Sequence, residues 1–301
     1  MFSVKLKAMR KQARMSQEQL AEKLHVSRQA VTKWETGIGV PDIENLKALS
    51  VLFHTCIDEL LENQIASNTE KDFLYDSVTE YDIDRLKNYD ISLPGTKQIR
   101  LAGYQGEKIQ VRLASDLIPD IQSVFKTKID DVKKKIDINV THTGDITESR
   151  AKESLYVFIR FPLQYVRIVE IAGNTETLEL KDLKAEHIDF SGKTSRVVMD
   201  GVSGHIEIDC NQDMDVVCRS LNGRIDVNQI SAASRISLPA GVPFIAATKG
   251  IGNTILYEAD GKSTDDFSLK GEAVASCENM IELNGMKSEL IISAVSAQEV
   301  Q

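Results

Sequence analysis

The period of the apolar positions changes along this 301-residue chain, from helical at the N-terminus to strand-like over most of the remainder. Over residues 4–14, Val4, Leu6, Met9 and Ala13 return at helical spacing with basic residues between them. Ser16 with Gln19 three positions on forms a capping box, and the helix it opens carries Leu20, Ala21 and Leu24 as an inward stripe. His25-Val26 reads as a short turn and Ser27 as the cap of the next helix. That helix buries Ala30, Val31 and Trp34, exposes Arg28, Gln29, Thr32 and Lys33, and ends at Gly37. Pro41-Asp42 opens a fourth helix with Ile43, Leu46 and Leu49 inward, and Thr55 caps a fifth with Ile57, Leu60 and Leu61 inward. The pattern predicts a compact five-helix domain over residues 1–63.

Residues 64–95 are polar and acidic, with Asp76, Glu80, Asp82, Asp84 and Asp90 among Tyr75, Tyr81 and Tyr89, and read as a linker. A β-rich domain is expected over 96–301, ending in a short polar tail. Strand alternation marks Ile109–Leu113, Ile136–Val140 and Leu155–Ile159, and the charges of Asp130–Lys135 mark a turn or exposed edge. Beyond residue 165 apolar pairs recur about every ten positions: Leu178/Leu180, Ile188/Phe190, Val197/Val198, Ile206/Ile208, Val216/Val217, Ile225/Val227 and Ile236/Leu238. Gly204-His205-Ile206-Glu207-Ile208-Asp209 aligns with Gly223-Arg224-Ile225-Asp226-Val227-Asn228 nineteen positions later, and Gly173 and Gly192 have the same separation. A period near twenty predicts a β-solenoid whose turns bury their apolar faces on one another, with a β-sandwich as the alternative. The fold class is thus multi-domain, all-α followed by all-β.

Charge sharpens the division. The whole chain carries a formal net charge of −9, yet residues 1–36 hold eight basic and three acidic side chains, a net of +5, which leaves −14 for everything else. A basic head on an acidic body is the asymmetry expected when one end meets phosphate. No apolar run long enough for a transmembrane helix occurs, and Lys5, Lys7 and Arg10 interrupt what would be a signal-peptide core, so a cytoplasmic protein without membrane insertion is expected. Four scattered cysteines, Cys56, Cys210, Cys218 and Cys277, form no disulfide framework and read as buried or inert thiols.

The segment Ser16–Leu24, the segment Val26–Gly37 with its Trp34-Glu35-x-Gly37, and Pro41 and Leu46 beyond it resemble the lambda-repressor/Cro (XRE) helix-turn-helix family over about a fifth of the chain. The resemblance implies binding to double-stranded DNA, with a recognition helix over residues 28–36 in the major groove. On that reading Arg28 and Gln29 meet base edges, suited to guanine and adenine, Thr32 and Lys33 lie one turn along the same face, and Gln17 and Ser27 complete the DNA-contacting set, Gln17 toward phosphate. Arg10 and Glu35 match a structural pair of that family. The repeated Gly-x-Ile-x-[Ile/Val]-[Asp/Asn] units and Ile236–Pro239 resemble a bacterial adhesin-like β-solenoid family of unknown function.

Stacking at a period near nineteen aligns His187, His205 and Arg224. With Cys210 and Cys218 the histidines raise the question of a metal- or redox-responsive switch, but the spacing matches no compact metal motif and no metal or cofactor is assigned. Neither a phosphate-binding glycine loop nor a Gly-x-Ser-x-Gly elbow is present, and no enzyme is expected. The expected protein is a sequence-specific transcriptional regulator, homodimeric on DNA. Its β domain self-associates or senses an unknown ligand or protein. The alternative is an interaction or scaffold protein whose β-solenoid binds the partner.

Overall fold

The computed structural model of the protein describes residues 6–7, 9–11, 15–36, 39, 41–53, 73–143, 146–259, 262–264 and 277–295. The chain divides into two compact units, Met1–Lys71 and Asp72–Gln301.

In the first unit residues 6–7 and 9–11 are helical, followed by α1 (Gln17–Lys23), α2 (Arg28–Glu35) and α3 (Ile43–Phe53). Local chemistry starts each helix. Ser16 Oγ accepts from Gln19 N at 3.1 Å while Gln19 Oε1 accepts from Ser16 N at 2.7 Å, the reciprocal capping box. Ser27 Oγ accepts from Ala30 N at 3.2 Å, and Asp42 Oδ1 accepts from Asn45 N at 2.8 Å. Between α1 and α2, His25 turns the chain with φ of 55°. Leu6, Leu20, Ala21, Leu24, Val31, Trp34 and Leu49 make one buried cluster, so Trp34 is core. Gly37 and the fifth helix expected after Thr55 lie outside the described residues.

In the second unit, nineteen strands among the described residues build two ladders that share one apolar interior. The strands begin with β1 (Tyr75–Asp82), β2 (Lys87–Ser92), β3 (Thr96–Tyr104), β4 (Lys108–Ser115), β5 (Phe125–Val132), β6 (Lys135–His142), β7 (Tyr156–Pro162), β8 (Val166–Lys181), β9 (Lys184–Lys193) and β10 (Arg196–Asp200). They continue with β11 (Ser203–Asp209), β12 (Asp215–Cys218), β13 (Gly223–Ile230), β14 (Ala233–Pro239), β15 (Ile245–Thr248), β16 (Thr254–Ala259), β17 (Lys262–Thr264), β18 (Met280–Met286) and β19 (Glu289–Val295). The short helices α4 (Ile121–Val124) and α5 (Glu148–Ser154) interrupt them. Sheet A runs β1-β4-β7-β3-β8-β10-β12-β14-β19-β16-β17, and sheet B runs β5-β6-β2-β8-β9-β11-β13-β18-β15, with β8 long enough to serve both.

The central pairings are parallel, and Arg196↔Asp215 and His205↔Arg224 show the nineteen-residue step. Inward side chains therefore stack in columns. One column runs Ile136, Tyr89, Val169, Ile188, Ile206, Ile225 and Ile281 through sheet B, and another runs Ile99, Leu178, Val197, Val216, Ile236 and Ile292 through sheet A, every member at most 4% exposed. The result is mostly parallel and solenoid-like, unlike the aligned antiparallel sheets of a sandwich. Antiparallel β5, β1 and β4 lie at one end of the ladders and β17 at the other.

Two features differ from expectation. The acidic stretch read as a linker contains β1 and β2, so the β unit reaches back past residue 96. Its acidic residues have partners far along the chain: Asp76 accepts from Arg112 Nε at 3.0 Å, and Glu80 accepts from Gln110 Nε2 at 2.6 Å and Lys108 Nζ at 3.3 Å, all on β4. Tyr89 and Ile91 on β2 are buried in alternation with half-exposed Asn88 and Asp90. The second difference is order. The last pair, β18 and β19, lies between β13/β14 and β15/β16 rather than after them.

Candidate nucleic-acid interface

The face proposed from the sequence is carried on α2, and a buried polar network sets the orientation of that helix. Arg10 Nε donates to Glu35 Oε1 at 2.6 Å and its Nη2 donates to Glu35 Oε2 at 3.0 Å, while Nη1 donates to the Met15 carbonyl at 2.7 Å. Gln17 Nε2 donates to Glu35 Oε2 at 2.8 Å, and Gln17 Oε1 accepts from Thr32 Oγ1 at 3.3 Å. One carboxylate thus ties the first helical segment, the start of α1 and the end of α2 together. Burial by itself would push the Glu35 carboxyl up, but the hydrogen bonds from Arg10 and Gln17 outweigh it and hold the group below the ordinary carboxylate range. The same contact raises the Arg10 guanidinium.

The six residues expected at DNA divide by what they touch. Arg28, Gln29 and Lys33 are exposed. Arg28 Nη1 lies 4.0 Å from Glu18 Oε2, and both side chains remain about two-thirds exposed (65% and 68%), so water screens that contact. Ser27 caps α2 through its hydroxyl. Thr32 is half-buried and donates to the Arg28 carbonyl at 3.0 Å. The Gln17 amide is held by Glu35 and Thr32, a role the sequence did not suggest because Glu35 lies eighteen residues away.

The other candidate ligands are separated by the β architecture. Cys210 and Cys218 face the interior, each 1% exposed, and burial pushes the Cys218 thiol up to about 12, which leaves it protonated and unreactive. Cys56 lies outside the described residues. His187 and His205 sit on the outer side of sheet B, away from both cysteines, and there they meet Glu207, which spacing had not singled out. Among the described residues no helix is long and apolar enough to cross a membrane.

A family model described as helix-turn-helix matches residues 6–60, and the first unit carries an XRE-type helix-turn-helix domain. The HTH-type transcriptional activator BcrR of Enterococcus faecalis is 49% identical over 63 residues, covering 21% of this chain and 31% of that protein. The uncharacterized HTH-type transcriptional regulator YqaE of Bacillus subtilis (strain 168) is 38% identical over 64 residues, covering 21% of this chain and 55% of its own length. The chain therefore spans about a third and about half of the curated relatives it matches. Among solved structures, a candidate cell adhesion protein from Clostridium sporogenes aligns with 73% of this chain and 99% of its own at 10% identity and a TM-score of 0.32. A candidate adhesin from Bacteroides fragilis aligns with 74% of this chain and 98% of its own at 9% identity and a TM-score of 0.27.

Proposed function

We propose that this protein is a sequence-specific DNA-binding transcriptional regulator that reads the major groove with α2. The observation that carries the reading is the contrast within one helix-turn-helix domain: Arg28, Gln29 and Lys33 are exposed on a helix whose other side is locked by Glu35, Arg10 and Gln17. Preorganised long polar side chains at the start of a recognition helix match the needs of base readout, Arg28 toward guanine and Gln29 toward adenine. Lys33 lies one turn on and reaches base or phosphate. Ser27, Thr32 and Gln17 border this face, where their polar groups can add backbone contacts while holding the helix. Two such heads on a homodimer read a two-fold symmetric operator. The β unit supplies self-association or recognises a signal.

The test is selection of bound duplexes from random DNA with the full chain, followed by gel shifts on the recovered site. The reading requires a palindromic site whose discrimination falls in Arg28→Ala and Gln29→Ala. Recovery of no sequence, or full discrimination by both variants, removes α2 as the reading element.

A further inference from the structure

The outer side of sheet B carries a column of seven acidic residues on consecutive strands: Asp137, Asp90, Glu170, Asp189, Glu207, Asp226 and Glu282. Neighbouring strands lie about 4.8 Å apart, so the parallel register places like charges directly beside one another. Fixed cations serve both ends. Lys135 Nζ lies 2.7 Å from Asp90 and 3.1 Å from Asp137. Arg224 lies 2.6 Å from Asp226 and 2.9 Å from Glu282, and Lys249 lies 2.8 Å from Glu282. In the middle, among the described residues, no lysine or arginine pairs with Asp189 or Glu207, and Asp189 Oδ1 is buried without a hydrogen-bond partner.

The middle is also where two imidazoles sit. A strict nineteen-residue step would set His187 beside Ile206. Instead the register shifts between Ser203 and His205, and the pairing becomes His187↔His205 with an eighteen-residue step. The rings meet edge to face at 4.6 Å between centroids. His187 Nε2 lies 3.5 Å from Glu207 Oε2, and donor atoms of His187, His205 and Glu207 all fall within 4.8 Å of one another. Two ligands of one tetrahedral zinc ion, at ordinary Zn–N and Zn–O lengths, stand about 3.4 Å apart. The His187–Glu207 separation already matches that figure, and side-chain rotation on the outer face closes the remainder. Asp226 Oδ2, 2.9 Å from His205 Nε2, occupies the position of the carboxylate that orients a metal-bound imidazole. Glu207 is further steadied by Asn228 Nδ2, which donates to its Oε1 at 2.6 Å.

We propose that His187, His205 and Glu207 together bind one divalent transition-metal ion of the zinc class on the outer face of sheet B. Neutral imidazole and carboxylate donors suit such an ion, and its charge offsets the uncompensated centre of the acidic column. The site stands apart from DNA reading, and its test contains no DNA.

The experiment is calorimetric titration of untagged, chelator-stripped full-length protein with zinc chloride, repeated on His187→Ala, His205→Ala and Glu207→Gln. One equivalent of zinc per chain is expected, with saturable binding lost in each histidine variant and weakened at least about tenfold in Glu207→Gln. The three side chains point outward, so metal-free variants are expected to melt with the wild type; a variant that melts early is replaced by His187→Gln. Cobalt(II) loading adds a spectroscopic readout: tetrahedral ligand-field bands without a thiolate charge-transfer band support the assigned donors. No saturable zinc binding, binding that survives both histidine variants, or a thiolate band would overturn the proposal.

Discussion

Arg10 and Glu35 form the pair on which the orientation of α2 depends, with side chains only 11% and 2% exposed. Removing one partner leaves a buried charge, and Arg10→Met is expected to destabilise the head by about 3–5 kcal/mol in denaturant titration. The pair also sets an acid response. Because the folded Glu35 carboxyl titrates below its ordinary value of 4.5, its stabilising contribution is fully present above that pH and is lost as pH falls through the lower folded value. Chemical denaturation of wild type and Glu35→Gln from about pH 6 to pH 3 should show a steeper acid loss in wild type; parallel curves would contradict it. On the exposed side of the same helix, Arg28→Ala and Gln29→Ala are each expected to cost about 1–3 kcal/mol of discrimination between operator and mismatched DNA, with little change in the melting curve.

At the scale of elements, the solenoid-like unit depends on rungs that approach without side chains between them. Gly223 has φ of +124°, and a Cβ there would stand 2.2 Å from the carbonyl oxygen of Gly204 on the next strand. Gly223→Ala therefore combines left-handed backbone strain with a backbone collision, and the β unit is expected to lose at least about 1–3 kcal/mol of unfolding free energy in denaturant titration. The edges follow different rules. On β1 exposed acidic residues are matched by Arg112, Lys108 and Gln110 on β4, contacts of small individual energy that nonetheless specify which strand β1 joins. Burial is therefore a poor guide to β1, since its pairing is carried by backbone ladders and charge.

At the scale of the molecule, two compact units with separate apolar clusters are expected to unfold as separate cooperative transitions. Leu20 is fully buried in the head, so Leu20→Ala should destabilise the head by about 2–5 kcal/mol, lowering the temperature of one calorimetric transition and leaving the other in place; a single shifted transition would show the units to be coupled. The basic head and acidic remainder bear on binding as well. DNA affinity is expected to fall linearly in log–log form with salt, with a slope set by phosphate contacts made by the head, and Lys33→Ala should reduce that slope by about one if Lys33 meets phosphate.

The sequence by itself determined what depends on near neighbours. The capping box of Ser16 and Gln19, the Ser27 cap, the inward stripe of Leu20, Ala21, Val31 and Trp34, and the strand alternation from Leu178 to Leu238 all rest on contacts within a few residues or on a regular period, and each is present in the structure. Tertiary structure alone decided whatever depends on distant partners or a broken period. The acidic stretch holding β1 could not be told from a linker, because its partners lie on β4 some thirty residues on. The insertion of β18 and β19 between earlier rungs leaves no trace in a repeat read in chain order. The repeat aligned His187 with His205, but that Glu207 joins them on the outer side of sheet B follows only from the register of β9 and β11. Short-range order is written in local chemistry, whereas register between strands is chosen by the whole interior that those strands must fill.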